Sequence, residues 1–268
     1  MKTLIVIPAR YASTRFPGKP LALLGGETVI SRVWHRARLV PGVDVVVATD
    51  DSRIFDHVVA IGGEGAAMMT ATTHQSGTDR CGEVLQRLEE QQRHYDVVVN
   101  VQGDEPFLDP AQIGLLVDCF ENPDVEIATL ATPVGSMDEL LSPNNVKVVL
   151  TDDDFAMYFS RHAIPFCRGV EQAEWLSKAP YFKHVGVYAY RDDVLREVCR
   201  LRPSTLERCE KLEQLRWLGA GYRIKVCKTD HANIGIDTPD DLAEAERRLA
   251  GEACCEKGEL TTKKNEVL

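Results

Sequence analysis

Leu4-Ile5-Val6-Ile7 runs without a break into Pro8-Ala9-Arg10-Tyr11-Ala12-Ser13-Thr14-Arg15-Phe16-Pro17-Gly18-Lys19-Pro20. Four consecutive apolar residues read as a strand covered on both faces, because a strand with one wet face would alternate. Residues 28–39 follow with Val29, Ile30, Val33, Trp34 and Ala37 on one helical stripe. Residues 44–48 are a second continuous apolar strand. Strand, loop, helix, strand is the pattern of an α/β protein with a largely parallel sheet. In such sheets ligands sit beyond the carboxyl ends of the strands. The loop 8–20 is therefore the first place to look for chemistry.

The alternation continues along the chain. Helices are expected over 52–61, 79–94, from Pro110 to 120, over 206–218, and after Thr238. Further strands are expected over 96–101, 125–131, 146–150, 155–160, 183–191 and 222–227. In 206–218, Leu212, Leu215 and Leu218 would face inward, with Glu210, Glu213 and Gln214 together on one side. No Gly/Ser/Pro-rich linker divides the chain. One domain over 1–250 is expected, with an insertion around 155–190, and a flexible polar tail over 251–268.

Composition excludes several classes. The chain has 268 residues, 44% hydrophobic, with a formal charge of −10. Such an acidic protein is not built to hold nucleic acid non-specifically, which needs excess Lys and Arg. No apolar run approaches membrane-spanning length, and the N-terminus lacks a signal-peptide pattern, so a cytoplasmic protein without membrane insertion is expected. Six of the eight cysteines are scattered and read as small buried residues of a reducing compartment. Cys254-Cys255 falls in the polar tail as an exposed, oxidisable pair. The acidity is unevenly placed: residues 1–43 hold seven Lys and Arg against the single acid Glu27, a net +6.

Several segments carry chemistry. The loop after the first strand places Arg10, Arg15 and Lys19 in a Gly/Pro-stiffened stretch with the Ser13 and Thr14 hydroxyls. That mixture of cations, hydroxyls and backbone donors suits a triphosphate, although a solvated basic loop has the same composition. Neither a Walker A loop nor Gly-x-Gly-x-x-Gly occurs, which argues against a nicotinamide dehydrogenase. Gln102-Gly103-Asp104-Glu105-Pro106 follows a strand directly, so Asp104 is placed either to hold Mg²⁺ or to end the strand in a turn. In Asp237-Thr238-Pro239-Asp240-Asp241, Thr238 reads as a helix N-cap, leaving Asp237 outside the helix as a second possible metal ligand. His74-Gln75-Ser76-Gly77-Thr78-Asp79-Arg80 is rich in donors at a helix start. Asp50-Asp51 and Asp152-Asp153-Asp154 read as a helix opening and a hairpin turn rather than metal sites. His184, Gly186, Tyr188 and Tyr190 alternate onto one strand face.

Taken together, these segments resemble the 3-deoxy-manno-octulosonate (Kdo) cytidylyltransferase family, also called CMP-Kdo synthetases. The resemblance runs from residue 3 to about 250. It includes residues 7–20, 74–80, 100–106, Pro143-Asn144-Asn145-Val146-Lys147, Tyr158-Phe159-Ser160-Arg161, the His184 strand, Leu212-Glu213-Gln214-Leu215-Arg216 and Ile236-Asp237-Thr238-Pro239. It implies a Rossmann-like nucleotide-diphospho-sugar transferase fold with a central, mostly parallel mixed sheet flanked by helices. It also implies Mg²⁺ dependence, a homodimer, and transfer of CMP from CTP to the C2 hydroxyl of Kdo for lipopolysaccharide synthesis. A related acidic sugar, an amino-Kdo or sialic acid, is the alternative acceptor. Under this resemblance Arg10, Ser13, Arg15, Lys19, Gln75, Ser76, Arg80 and Gln102 bind CTP. Asp104 and Asp237 carry the metal. Gln102, Arg161, His184, Tyr188, Glu213 and Gln214 bind the sugar. Arg10, Arg15, Lys19, Asp104 and Asp237 are the expected catalytic groups.

Overall fold

A computed structural model describes residues 1–12, 15–231 and 235–250. Its first half is β1 (Thr3–Ala9), a small hairpin of β2 (Leu23–Leu24) and β3 (Glu27–Thr28), α1 (Val29–Arg38), β4 (Val43–Thr49), α2 (Ser52–Gly62), β5 (Ala67–Met69), α3 (Gly77–Glu90) and β6 (Val97–Asn100). Then come α4 (Pro110–Asp118), β7 (Ile127–Pro133), α5 (Met137–Leu141), β8 (Lys147–Leu150), β9 (Ala156–Ser160), α6 (Trp175–Lys178) and β10 (Phe182–Arg191). The chain continues through α7 (Asp192–Val198), α8 (Thr205–Glu210), α9 (Gln214–Gly219) and β11 (Ile224–Lys228). A last helix, α10, covers residues 239–250.

The main sheet runs β11-β7-β10-β6-β1-β4-β5, with β8 pairing β10 and β9. β6, β1, β4 and β5 are mutually parallel, as are β7 and β11, while β10 runs antiparallel between the two groups. The sheet is thus mixed but mostly parallel, the α/β architecture that the strand patterns imply. β1 pairs β4 on one side and β6 on the other. The chain winds outward from β1 and then returns across it, so a crevice opens at the carboxyl ends of β1 and β6.

Alternation within the strands divides the core. Ile5, Ile7, Val45, Val47, Val97 and Val99 pack on the face with Ile30, Val33 and Ile54 of α1 and α2. Leu4, Val6, Val46 and Val98 face Val84, Leu85 and Leu88 of α3. Both faces are fully covered, which explains the uninterrupted apolar runs. A smaller cluster of Leu24, Val29, Ile236 and Ala245 holds α10 against the β2–β3 hairpin and α1. Another, of Leu140, Ala163, Trp175 and Tyr181, lies under α5 and α6.

The structure corrects two expectations and adds three short strands. The helix expected over 206–218 is broken, because Lys211 adopts φ 56°, ψ 45° and ends α8. Ser204 closes α8 at its start with a capping box. The break lets Leu212 and Leu215 both enter the core while Glu210 turns to β9, where it accepts from Ser160 Oγ at 2.7 Å and Arg161 N at 2.9 Å. Glu210 and Glu213 therefore do not share a face. The cysteines are less buried than expected: of the six described, Cys81 is buried, Cys209 is exposed, and the others are half-buried. Finally, β2, β3 and β5 carry only two or three residues each, too few to produce a pattern in the sequence. Asp51 caps α2, and the 152–154 acids lie in the β8–β9 turn, as expected. The 251–268 tail, with Cys254 and Cys255, lies outside the described residues.

Candidate active site

β1 ends at Ala9, and the loop beyond it is held in a tight fold. Gly18 N–H donates to Tyr11 O at 2.9 Å, and Gly18 has φ +74°, which a side chain would strain. The Tyr11 ring is covered by the Arg53 guanidinium at 3.3 Å, itself paired with Asp51. The loop after β6 packs on that after β1 so closely that a Cβ on Gly103 would lie 2.7 Å from Pro8 O. Ile236 N–H donates to Asp104 O at 2.9 Å and brings the start of α10 to the same place. Three segments far apart in sequence thus meet at the crevice.

They enclose a cavity of about 240 Å³. Arg10, Arg15, Lys19, Ser76, Arg80, Gln102, Asp104 and Asp237 all line it. Lys19 is its electrostatic centre. Its Nζ lies 2.6 Å from Asp104 Oδ2 and 3.3 Å from Asp237 Oδ1, with only 11% of the side chain exposed. Arg15 reaches the other oxygen of Asp237 at 3.1 Å. The Asp237 carboxylate is not used by α10, because Asp241 completes the capping box with Thr238 and also accepts from Asp237 N–H at 2.9 Å. Two carboxylates from distant parts of the chain therefore converge on one cation.

The N-terminus of α3 also opens on the cavity through Ser76 and Gly77. Ser76 caps this helix in a capping box with Asp79. Helix N-termini favour anions, since their first N–H groups lack helical partners. In the sequence only the Ser-x-x-Asp spacing marks this contribution. Arg80, one turn into α3, lines the cavity, but its guanidinium is engaged behind the wall. It pairs with Asp50 at 2.5 Å and donates to Thr70 Oγ1 at 2.7 Å. Gln75 is exposed, donates to Thr73 O, and does not line the cavity. Ser13 lies outside the described residues, as does most of the 232–235 loop.

The expected sugar-side residues form a neighbouring group rather than part of this cavity. Gln102 connects the two by donating to Gly186 O of β10 at 3.4 Å. Glu213 accepts from Thr78 Oγ1 at 2.9 Å, next to the cavity's Ser76. Burial raises its carboxyl above the usual range, and the Thr78 and Ser76 hydroxyls oppose that shift. His184 and Tyr188 share a face of β10 with ring centroids 5.2 Å apart, despite a bulge between Val185 and Tyr188. Burial pushes the His184 imidazole down to about 3. Thr129 Oγ1 donates to Val187 O at 2.7 Å, so it accepts from His184 Nε2–H at 3.0 Å. Tyr188 packs edge-on against Trp217, and Gln214 is buried beside it on α9. Arg161 donates to Glu210 O at 2.6 Å and Pro143 O at 3.0 Å. Lys147 reads in the sequence as an ordinary strand residue. It is fully buried, and its amine donates to Ser142 O, Asn145 O and Arg161 O at 2.6–2.8 Å.

A profile of the cytidylyltransferase family matches residues 4–224. The chain belongs to that family. This cytidylyltransferase is 50% identical over 254 residues to a 3-deoxy-manno-octulosonate cytidylyltransferase of Parabacteroides distasonis, covering 93% of this chain and 99% of the relative. It is 51% identical over 254 residues to the protein of that name from Bacteroides thetaiotaomicron, with 93% and 98% covered. Among solved structures it is similar to a CMP:2-keto-3-deoxy-manno-octonic acid synthetase complexed with CTP. The TM-score there is 0.85 and the identity 42%, covering 94% of this chain and 100% of the other. A cytidylyltransferase from Leptospira borgpetersenii, 16% identical with a TM-score of 0.58, shares the fold.

Proposed function

We propose that this cytidylyltransferase transfers CMP from CTP to the C2 hydroxyl of Kdo and releases pyrophosphate. The observation that carries the reading is the convergence of Arg10, Arg15, Lys19 and the α3 N-terminus on one cavity, in a chain about half identical to proteins named for this activity. The solved relative with CTP supports the nucleotide. The transfer forms a bond between the sugar oxygen and the α-phosphorus and breaks the bond from that phosphorus to the leaving pyrophosphate. Such a displacement needs positioning and charge stabilisation more than a covalent nucleophile. Arg10, Arg15 and Lys19 would hold the triphosphate and balance charge on the leaving group. The α3 N-terminus would add backbone donors. Gln102 would stand between nucleotide and sugar. The sugar would lie toward β10, where Glu213, Gln214, His184 and Tyr188 sit, with Arg161 beyond them.

The residues fit a Mg²⁺ ion. Asp104 and Asp237 supply hard oxygen donors, and the Lys19 ammonium between them marks the position as one that favours a cation. Two carboxylates with water and phosphate oxygens are a common Mg²⁺ set. When bound, the ion would polarise the α-phosphate and favour ionisation of the attacking hydroxyl. A homodimer acting in the cytoplasm on the route to lipopolysaccharide completes the reading. The test is pyrophosphate release from CTP with Kdo, an amino-Kdo or a sialic acid, each with and without Mg²⁺. Release with Kdo that needs Mg²⁺ is expected. No release with Kdo, or release only with sialic acid, overturns the acceptor. Full activity in chelator overturns the metal.

A further inference from the structure

We propose that Cys119 and Cys227 form a peroxide-sensitive dithiol that closes to a disulfide. Cys119 begins the short 3-10 turn after α4, and Cys227 lies near the end of β11. Although 108 residues apart, their sulfurs are 2.7 Å from each other. Both also lie near one carbonyl, Leu115 O, at 3.2 and 3.6 Å. Each is half-buried, so a small oxidant can reach the pair while the backbone holds the sulfurs together. The other described thiols are not arranged this way. Cys167 contacts Tyr181 Oη at 3.3 Å, and Cys199 donates to Thr78 O at 3.4 Å.

The two sulfurs differ in character. The hydrogen bond from Cys227 lowers the Cys119 thiol below its usual range, burial opposes this, and the Lys225 cation assists it. The same bond, together with burial, raises Cys227. Either sulfur can serve as the nucleophile with the same balance of atoms, and the one whose thiol is lowered is Cys119. Its thiolate attacks a hydrogen peroxide oxygen, the O–O bond breaks, and hydroxide leaves, giving a sulfenic acid. The Cys227 sulfur then attacks the Cys119 sulfur, breaking S–O and expelling a second hydroxide. The protons of the two thiols convert these to water, so two thiols and one peroxide yield one disulfide and two waters. A dithiol reductant reverses the bridge.

The bridge would fasten α4 to the strand that leads toward the active site. Asp237 lies ten residues beyond Cys227. α4 already grips the intervening chain, since Gln112 Nε2 donates to His231 O at 3.0 Å.

The test uses the full chain carrying Cys209→Ser, Cys254→Ser and Cys255→Ser, which removes the exposed thiol and the pair in the tail. The protein is treated with equimolar hydrogen peroxide, alkylated, and measured as intact mass and peptides. The expected result is a loss of about 2 Da in the intact mass read before alkylation, and two of the five remaining thiols protected from it. A Cys119–Cys227 cross-linked peptide should appear and vanish with dithiothreitol. Cys119→Ser and Cys227→Ser should each abolish it, and Cys167→Ser should leave it. The proposal is overturned if both residues stay alkylatable under peroxide that oxidises Cys209 in the unsubstituted chain. Pairing of Cys119 with another cysteine, or sulfinic acid at either position without the bridge, overturns it equally. Peptide mapping of the chain with both residues intact separates these outcomes even if a serine variant folds poorly.

Discussion

Arg80 lies in the cavity wall, yet the structure gives its guanidinium a structural partner. Its side chain is 2% exposed, and that of Asp50 is 18%. Nη2 lies 2.5 Å from Asp50 Oδ2, and Nη1 lies 2.7 Å from Thr70 Oγ1. The fork thereby ties α3 to the ends of β4 and β5. Asp50→Ala removes the counter-charge and leaves the cation where water hardly reaches it. Breaking a buried pair in this way costs about 3–5 kcal/mol, most of it the penalty of the stranded charge. For a chain of this size that is a fall of roughly 6–20 °C in melting temperature. Urea unfolding of the wild type, Asp50→Ala, Arg80→Met and the double variant measures it. The double variant no longer strands a charge, so it should be more stable than Asp50→Ala by at least about 1 kcal/mol. A loss under about 1 kcal/mol for Asp50→Ala, or a double variant no better than it, would show that the pair does not hold the wall.

Three other substitutions probe the site and its support. Lys19→Met should lower pyrophosphate release by about a hundredfold or more, because it removes charge stabilisation in a water-poor position; unchanged release with an unchanged circular dichroism spectrum would refute that role. His184→Gln should flatten part of the acid limb of stability. His184 titrates at about 3 in the fold but near 6.5 when unfolded. The unfolded state therefore binds more protons between those values, and the group's contribution is lost as pH falls below about 6.5, by up to ~1.4 kcal/mol per unit. Parallel wild-type and variant curves from pH 7 to 5 would contradict this. Lys147→Met should cost about 3 kcal/mol in urea unfolding, since three half-buried carbonyls lose the donor that a buried amine gives them; equal stability would mean that water replaces the amine without penalty.

The site is legible in the sequence where it is made by strand ends. Residues 8–20 and 102–106 each follow a continuous apolar strand, so the parallel topology alone brings Lys19 and Asp104 to one edge of the sheet. Asp237 is legible because Thr238, Pro239 and Asp241 account for the helix start without it. What the sequence conceals depends on pairings between distant segments. Nothing local to Arg80 announces Asp50, and nothing local to Lys147 announces the carbonyls of Ser142 and Arg161. The antiparallel insertion of β10 between β6 and β7 also leaves no trace in local periodicity. The break at Lys211 is hidden for a different reason: the leucine spacing of 206–218 suits a helix, and the positive φ falls on a residue type that gives no warning of it. Tertiary burial of Leu212 and Leu215 overrides the local pattern there.

The structure also changes what the basic N-terminal segment means. Its net +6 suggests a surplus of positive charge waiting for an anion. Yet Lys19 and Arg15 are held by carboxylates 85 to 222 residues away, and Arg80 is held by Asp50. A cavity with unpaired cations would bind any phosphate and would suffer from its own repulsion. Here an incoming anion must compete with Asp104 and Asp237 for the same ammonium and guanidinium groups. An inorganic phosphate offers little to offset that competition. On the function proposed above, a nucleoside triphosphate that brings a divalent cation would satisfy both sides at once, because its oxygens would take Lys19 and Arg15 and leave Asp104 and Asp237 to hold the metal. Discrimination in favour of the metal-bound triphosphate would then follow from the pairing itself, with Asp104 and Asp237 offsetting two of the loop's three cations.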